Sequence, residues 1–420
     1  MRDFLPVDKA RRERVLAVIR SVFSAHGFDE IETPVMEDSS RLHAGLGGDN
    51  EKLAFGVLKR GLTAEDFATA TDALDLADLG LRFDLTVPLA RFYATHRAEL
   101  PTVFRAIQAA PVWRAERPQK GRYRQFVQCD IDIIGEAGPL AEIELLTATA
   151  DTFAALGLTG CTFRINDRRL LIGMLETIGF AAESHDQVLI TIDKLDKVGQ
   201  GGVVRELRER GFDAAAVDSL DDFFRRPQLL EQPGFGEQPG FGEQAIRAAL
   251  PAGADDAVVA ELAGIGLAVA AGQVEFDPFL VRGMGYYTGT IFEIVHPDLP
   301  YSLGGGGRYD GMIGRFLGAD VPAAGFSIGF ERIVDLVRLR DDESGGGVAL
   351  VYDSDVTSAA LMQLKAELIA SGRRVRLERA PRNLKPLLAQ LVASGFEDIA
   401  TVSSGAATVA DLRMRKLAAG

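Results

Sequence analysis

The chain has 420 residues, of which 47% are hydrophobic and 25% charged, a composition that predicts a folded protein of two or three domains. It carries 46 lysines and arginines against 60 aspartates and glutamates. The resulting formal net charge of −14 excludes a protein that holds nucleic acid by bulk positive charge. Two cysteines and five scattered histidines exclude a disulfide framework and a multi-cysteine zinc site, and we predict no protein-bound metal centre.

The N-terminal segment carries helical spacing of apolar residues. It predicts a helix over residues 8–26 that ends at Gly27, followed by a strand over 27–37 at an edge or interface. Residues 38–80 are expected to be irregular with a short helical stretch near 63–78, and residues 81–94 to begin as a strand and turn helical after Pro88. The first residues have no apolar leader, and no apolar run approaches the ~18 residues of a membrane span. We therefore expect a cytoplasmic protein.

Two strands, 103–118 and 121–135, are predicted to be joined by the polar loop RPQKG. The second alternates well: its apolar face lies opposite a face formed by Phe126, Gln128, Asp130 and Asp132. Polar residues in that arrangement are typical of a strand that lines a pocket. Between positions 114 and 124, five basic residues stand against one acidic residue, and Arg114 directly follows an apolar strand segment, where a solvated charge is unexpected.

The remaining elements follow in chain order. We expect a helix over 138–156, a strand over 161–167, a helix over 167–180, a mostly helical stretch over 183–275, a strand-turn-strand over 280–295, a glycine-rich strand-loop-helix over 301–316, and a strand running into a helix over 323–337. The direct repeat EQPGFG at 231–236 and 237–242 predicts an exposed loop and is assigned no function. After a linker over 341–347, residues 348–420 predict a small βαβαβ unit with a largely parallel sheet.

Three patches carry residues suited to binding a ligand. The first runs from Arg114 and Glu116 through Arg122 to Phe126, and combines guanidinium groups that bind phosphate with a ring that stacks on a base. The second is a glycine-containing strand ending at Arg332. The third joins RGMGYY at 282–287 with GGGGR at 304–308, where four glycines permit close backbone approach. A P-loop is absent, and no dinucleotide-binding glycine motif follows a first strand.

Taken together and in order, these segments resemble a known family. GFDEIETPVME (27–37), the segment from Arg114 to Phe126, and GFSIGFERI (325–333) look like motifs 1, 2 and 3 of class II aminoacyl-tRNA synthetases. LRFDLTVP (81–88), RPQKGRYRQF (117–126), VRGMGYYTGTIFE (281–293) and GGGGRYDG (304–311) are similar to histidyl-tRNA synthetases within that class. The resemblance covers nearly the whole chain.

The resemblance implies an α+β fold: a class II synthetase-like antiparallel sheet of six to seven strands flanked by helices, with a helical insert and a small C-terminal α/β domain. The catalytic domain would comprise residues 1–182 and 276–340, interrupted by the mostly helical insertion 183–275. The linker 341–347 would lead to a reduced anticodon-binding-like domain at 348–420. The motif 1 region would form a homodimer interface.

The resemblance also implies the reaction and its partners. Histidine and ATP, with Mg²⁺, would give histidyl-adenylate and pyrophosphate, and then histidyl-tRNA and AMP. Arg114 and Arg282 would act at the α-phosphate, Arg332 at the γ-phosphate, Glu116 and Arg122 at the nucleotide, and Phe126 on the adenine ring.

For the histidine pocket, the resemblance implies that Arg114 and Arg282 also face the amino acid. Asp84, Thr86 and Gln128 would hold the α-amine, and Asp132 and Tyr287 the imidazole ring. Tyr286 would also belong to the histidine-binding site. Because such a site hydrogen-bonds its substrate, it rejects apolar isosteres, and no editing domain is expected.

Two alternatives stay open at the level of sequence. One is the histidine-binding regulatory subunit of ATP phosphoribosyltransferase, which usually lacks the motif arginines, the histidine-specific loop and the C-terminal domain. Arg114, Arg122, Arg282 and Arg332 are all present here, and residues 348–420 predict a domain, so the enzyme is favoured. The other is a paralogue that activates histidine for a different acceptor, favoured only by the short C-terminal domain. Gly285 also departs from the Asp that many family members carry at that position.

Overall fold

The computed structural model of the chain describes residues 2–42, 53–116, 123–225, 241–269, 274–282, 286–337 and 346–417. The chain folds into two compact units. The larger one holds Leu16–Val337, and the smaller one holds Arg2–Val15 with Arg338–Gly420. Among the described helices, none combines the length and apolar character needed to cross a membrane.

Within the described residues, the larger unit is built on an eight-stranded sheet. Its strands, numbered as they occur along the chain, are β1 (Asp29–Glu30), β5 (Phe104–Trp113), β6 (Gln125–Ile134), β7 (Thr162–Asp167), β8 (Val274–Phe276), β9 (Thr290–Val295), β10 (Gly304–Arg308) and β11 (Ala323–Ile328). Their order is β1-β5-β6-β11-β10-β9-β7-β8. The β1–β5 and β7–β8 pairs are parallel and the inner pairs are antiparallel. The α+β sheet flanked by helices is confirmed, but the expected six to seven antiparallel strands are corrected to eight, with a parallel pair at each edge.

Three of the predicted helices are present, and two of them pack on this sheet. Helix α1 (Pro6–Ala25) ends before Gly27, as predicted. Gly27 adopts a φ of +83°, the left-handed conformation that glycine commonly takes just after the end of a helix. Helices α6 (Leu140–Ala155) and α7 (Arg168–Ile178) match the predicted helices, and α6 packs on β6 and β11 while α7 packs on β7. The predicted strand pair 103–118 and 121–135 is β5 and β6, paired in register from Phe104–Ile134 to Trp113–Gln125.

A second, three-stranded sheet lies where an irregular segment was expected. It has the order β2-β4-β3, from β2 (Met36–Asp38), β3 (Phe55–Leu58) and β4 (Ala77–Leu81), and is accompanied by the short helices α2 (Ser39–Leu42), α3 (Ala64–Thr69) and α4 (Ala73–Leu76). The single strand predicted over 27–37 is therefore wrong: β1 and β2 belong to different sheets.

Helix α5 (Thr86–His96) begins earlier than predicted. Pro88 is its third residue, and the first four N–H groups of a helix have no partner within the helix. The missing N–H of Pro88 consequently costs nothing, and the proline lies inside the first turn instead of preceding the helix.

The stretch 183–275 is helical, as expected, within its described residues. A 3₁₀ turn (Ala182–Ser184) is followed by α8 (His185–Ile192), α9 (Leu195–Glu209), α10 (Ala214–Phe224), α11 (Glu243–Ala249) and α12 (Asp256–Ala268). Apart from Phe241 and Gly242, the EQPGFG repeat lies outside the described residues.

The predicted first strand of the 280–295 hairpin is absent from the described residues, because β9 already pairs with β10 on one side and β7 on the other. The glycine-rich segment is β10 followed by α13 (Asp310–Leu317), and the last predicted element is β11 followed by α14 (Phe330–Ile333).

The smaller unit confirms the predicted α/β arrangement. Strands β12 (Gly347–Tyr352), β13 (Val375–Arg379) and β14 (Phe396–Val402) are parallel in the order β13-β12-β14, and β15 (Arg415–Lys416) adds an antiparallel edge. Alternate residues of β12 enter two separate cores, one formed with α15 (Ser358–Ala370) and one with α16 (Leu384–Ala393). A 3₁₀ turn (Val409–Asp411) precedes β15. Of the predicted linker 341–347, only the last residues are described, and Gly347 already belongs to β12.

Candidate active site

A cavity of about 270 Å³ lies against the inner strands of the large sheet. Eleven of the twelve residues that the sequence assigns to the site line it: Asp84, Thr86, Arg114, Glu116, Phe126, Gln128, Asp132, Arg282, Tyr286, Tyr287 and Arg332. The twelfth, Arg122, lies outside the described residues, as does Gly285. The cavity thus joins segments that are about 250 residues apart in the chain.

Glycines make room for the charged side chains of this cavity. A Cβ built on Gly305 would lie 2.6 Å from Arg282 Nη1, and one built on Gly325 would lie 2.0 Å from Asp132 Oδ1. A Cβ on Gly306 would lie 1.9 Å from the Gly325 carbonyl oxygen. These approaches explain why the middle of the sheet is built of glycines, since a larger residue would collide with the side chains that face the cavity or, at Gly306, with the neighbouring main chain.

Three buried carboxyl groups face the cavity, and each has a raised pKa. Burial raises the pKa of Asp84 to about 6, although the amide of Val87 and the charge of Arg114 oppose this shift. Burial raises the pKa of Asp132 to about 7, opposed by a hydrogen bond from Tyr309 and assisted by Asp84. For Asp130, burial and then the neighbouring Asp132 raise the pKa well above its usual range. This part of the cavity is suited to a ligand that brings its own positive charge.

Tyrosines surround the Asp132 carboxyl group. The Tyr309 hydroxyl donates a hydrogen bond of 2.5 Å to Asp132 Oδ1. The rings of Tyr286 and Tyr287 lie 4.7 Å apart, and Tyr286 packs edge-on against Tyr309 at 6.0 Å. A carboxyl group among buried rings offers both a hydrogen-bond partner and flat apolar surfaces to a small aromatic ligand.

A buried ion pair holds Tyr309 in place. Its chain neighbour Arg308 donates from Nε and Nη2 to the two carboxylate oxygens of Glu142, at 2.6 and 2.7 Å, and Glu142 is fully buried in α6. Arg308 Nη2 also donates to the carbonyl of Gly138 at 2.9 Å. The C-terminal end of β10 is thereby fixed to α6 through a two-pronged contact.

Three arginines contribute positive charge. Arg114 donates from Nε to the Phe83 carbonyl at 3.0 Å, and its guanidinium lies 5.0 Å from the centre of the Phe126 ring. Arg282 donates from Nη1 to Glu293 Oε1 at 2.9 Å, and Arg332 donates from Nη1 to the Ser302 carbonyl at 2.5 Å. Anchored guanidinium groups provide fixed positive charge for phosphate or carboxylate ligands.

The sequence model of the family described as "Histidyl-tRNA synthetase" matches residues 1–333. The chain belongs to the histidyl-tRNA synthetase family.

Individual proteins agree with this assignment. A curated histidine–tRNA ligase of Leifsonia xyli is 59% identical over 419 residues, covering 98% of this chain and 96% of the relative. Among solved structures, the chain is similar to a histidyl-tRNA synthetase from Nostoc (TM-score 0.74, 23% identity, covering 99% of this chain and 93% of that one). It is also similar to a Bacillus halodurans protein described as an ATP phosphoribosyltransferase regulatory subunit/histidyl-tRNA synthetase (TM-score 0.73, 19% identity, 96% of each chain). At these identities the two structures show the fold alone.

Several residues that line the cavity of this histidyl-tRNA synthetase family member have no role assigned from the sequence. They are Tyr123, Asp130, Ser302, Tyr309, Ser327 and Glu331. Asp130 was placed on the correct strand face but given no role, although its position between Gln128 and Asp132 was a usable signal. Ser327 and Tyr309 could not be assigned from spacing, because only the pairing of β11 with β6 and the close packing at Gly325 bring them to the carboxyl groups.

Proposed function

We propose that this chain is a histidine–tRNA ligase. In the first step, a carboxylate oxygen of histidine attacks the α-phosphorus of ATP, the bond to the β-phosphate oxygen breaks, and pyrophosphate leaves. In the second, a hydroxyl group of the terminal tRNA nucleotide attacks the carbonyl carbon of the adenylate, and AMP leaves. The family assignment supports this activity.

The observation that carries the proposal is the coexistence, in one cavity, of anchored arginines and three buried carboxyl groups whose pKa values are raised. An amino acid brings an ammonium group to the carboxyl groups and a carboxylate to the arginines. ATP brings further negative charge that the arginines can balance. A ligand with only one kind of charge would leave half of these groups uncompensated.

On the nucleotide side, we assign Arg114 and Arg282 to the α-phosphate and the histidine carboxylate, where negative charge develops as the adenylate forms. Arg332 would hold the γ-phosphate, Glu116 and Arg122 the nucleotide, and Phe126 the adenine. Fixed guanidinium groups remain charged throughout and need no coordination geometry, which suits this electrostatic work.

On the amino-acid side, we assign Asp84, Thr86 and Gln128 to the α-ammonium group, and Asp132 with Tyr286 and Tyr287 to the imidazole. The Asp84 carboxylate supports this assignment, since Oδ2 is buried without a partner while Oδ1 accepts from the first turn of α5. An ammonium group arriving at Oδ2 would satisfy that oxygen and offset the burial that raises the pKa of Asp84.

Mg²⁺ is proposed to arrive with ATP. Within the described residues, no group of three or more His, Cys, Asp or Glu side chains could hold a metal ion. The cavity does contain the carboxylates of Glu116 and Glu331, and Mg²⁺ typically takes one or two carboxylates together with substrate phosphates. The donor set therefore fits an ion shared with the nucleotide.

Histidine tRNA is proposed as the acceptor, with the domain at 348–420 meeting its anticodon side and a homodimer forming through the motif 1 region. The local charge supports an interaction with tRNA. Residues 348–420 carry ten basic and seven acidic side chains, a balance of +3 in a chain of −14. A cytoplasmic location is proposed with this activity.

The decisive experiment measures histidine-dependent pyrophosphate–ATP exchange and then the charging of histidine tRNA. We expect both activities. Absence of exchange would exclude ligase activity and favour the regulatory histidine-binding protein. Exchange without charging of the tRNA would favour a paralogue that activates histidine for another acceptor. Asp132→Ala is expected to raise the KM for histidine far more than the KM for ATP. Equal increases in the two KM values would indicate that Asp132 has only a structural role.

A further inference from the structure

Asp130, Gln128 and Ser327 form a small buried group on the cavity wall. Gln128 and Asp130 are two residues apart on β6, so they share a face, and Ser327 lies directly opposite Asp130 in the paired strand β11. Gln128 is 8% exposed and Asp130 is 4% exposed. All three residues line the cavity.

The hydrogen bonds in this group fix the orientation of the Gln128 amide. Its NH₂ group has two hydrogens, and Nε2 donates to Asp130 Oδ2 at 3.2 Å and to Ser327 Oγ at 3.2 Å. The Gln128 carbonyl oxygen and Asp130 Oδ1 are buried without a partner.

With both amide hydrogens committed, Gln128 can offer a ligand only its carbonyl oxygen, which accepts hydrogen bonds but cannot donate them. An α-ammonium group has only donors, whereas a hydroxyl group in its place has one donor and carries no charge. The orientation of the amide therefore favours an ammonium group. If the amide were rotated, its NH₂ group would oppose the ammonium group instead.

We propose that Asp130 is a positioning residue that sets substrate specificity. By holding the amide hydrogens of Gln128 together with Ser327, it presents the Gln128 carbonyl to the α-ammonium group of the amino acid, and it makes the site prefer an amino acid over the corresponding hydroxy acid. The inference rests on the proposed function, because it assumes that histidine occupies this cavity.

The first test compares L-histidine with imidazole-lactic acid, in which a hydroxyl group replaces the α-amine. Pyrophosphate exchange gives the KM for histidine and for ATP, and inhibition of exchange gives the Ki of the hydroxy acid. In Asp130→Ala we expect the preference for histidine to fall about 10- to 100-fold, the range of one hydrogen bond to a charged group. The KM for ATP should stay within about twofold. An unchanged preference would overturn the proposal.

A double-mutant cycle separates positioning from direct contact. If Asp130 acts through Gln128, then Asp130→Ala should have little further effect on the preference in a Gln128→Ala background. Additive effects of the two substitutions would overturn the proposal, because they would mean that Asp130 acts independently of the amide.

Ser327→Ala provides a second route if Asp130→Ala fails to fold. It removes one of the two acceptors and retains the carboxyl group, so the preference should fall in the same direction by about 3- to 10-fold, as expected for a neutral hydrogen bond. No change would count against the proposal. Failure of the proposed function is recognised separately, because the unmodified chain would then show no histidine-dependent exchange.

Discussion

Asp132→Asn is expected to stabilise the unliganded protein while impairing its use of histidine. Asn is nearly the same size as Asp, and its carbonyl oxygen can still accept the hydrogen bond from Tyr309. The substitution removes a negative charge that is buried at 4% exposure beside two other carboxyl groups. The fold loses an unfavourable charge, and the pocket loses its proposed partner for the imidazole ring.

The magnitude follows from the pKa of Asp132, which burial raises from 3.8 to about 7 in the folded protein. Because the folded value lies above the unfolded one, the unfolded chain releases its proton first, and stability falls as pH rises from about 4 to about 7. At ~1.4 kcal/mol per pKa unit, the cost reaches at most about 4 kcal/mol above pH 7. At pH 5 about a third of that cost is present, so the gain from Asp132→Asn should grow by roughly 2–3 kcal/mol between pH 5 and pH 8.

Urea denaturation at pH 5 and pH 8 without ligands measures this difference, and exchange assays at pH 8 give the KM for histidine. Glu209→Gln removes an exposed carboxylate at the end of α9 and is the matched control, with an expected change within about 0.5 kcal/mol at both pH values. The reasoning is refuted if Asp132→Asn is no more stable than the unmodified chain at pH 8, or if its advantage shrinks as pH rises.

Three further substitutions test the arginine and glycine arrangement. Arg282→Ala should reduce pyrophosphate exchange at least about 100-fold without changing the oligomeric mass measured by light scattering, and exchange within a few-fold of the unmodified chain would contradict its proposed role. Gly305→Ala, whose Cβ would lie 2.6 Å from Arg282 Nη1, should lower pyrophosphate exchange about tenfold or more. The control is Gly311→Ala on α13, whose Cβ would have nothing within 4 Å, and its exchange rate should stay within about twofold of that of the unmodified chain. Equal effects of the two substitutions would argue against steric displacement of Arg282. Glu142→Ala leaves the buried Arg308 with only Asp310, at 3.2 Å, as a carboxylate partner in the described part of the chain. It should lower the free energy of unfolding by about 3 kcal/mol in urea denaturation, and a loss under 1 kcal/mol would be inconsistent with a stabilising Arg308–Glu142 ion pair.

Regular periodicity made part of this fold predictable. Polar and apolar residues of β6 alternate from Val127 to Ile133, and this pattern predicts which face is polar, because one side of the strand must join the core. The long helices were predictable for the same reason. Eleven cavity residues followed from their charge and from the family resemblance, since an Arg or Asp in an apolar strand needs a partner or a ligand.

Non-local pairing limited the remaining predictions. β2, β3 and β4 have three to five residues each, too few for alternation to identify them, and they exist because they pair with one another. The absent first strand of the 280–295 hairpin has a similar cause, since both sides of β9 are taken by strands from elsewhere in the described chain. Ser327 reaches Asp130 through strand register, which one sequence alone does not specify.

The glycines of β10 also constrain how substrate choice can change. Where glycine already stands, every substitution adds atoms, so along this strand the cavity can be narrowed but never enlarged. Adapting the site to a bulkier amino acid must begin at residues that have atoms to lose, such as Tyr309 or Tyr287. The main chain of β10 therefore sets an upper limit to the size of the pocket along one wall. The other side consists of larger side chains, and selection or a protein engineer can reshape it.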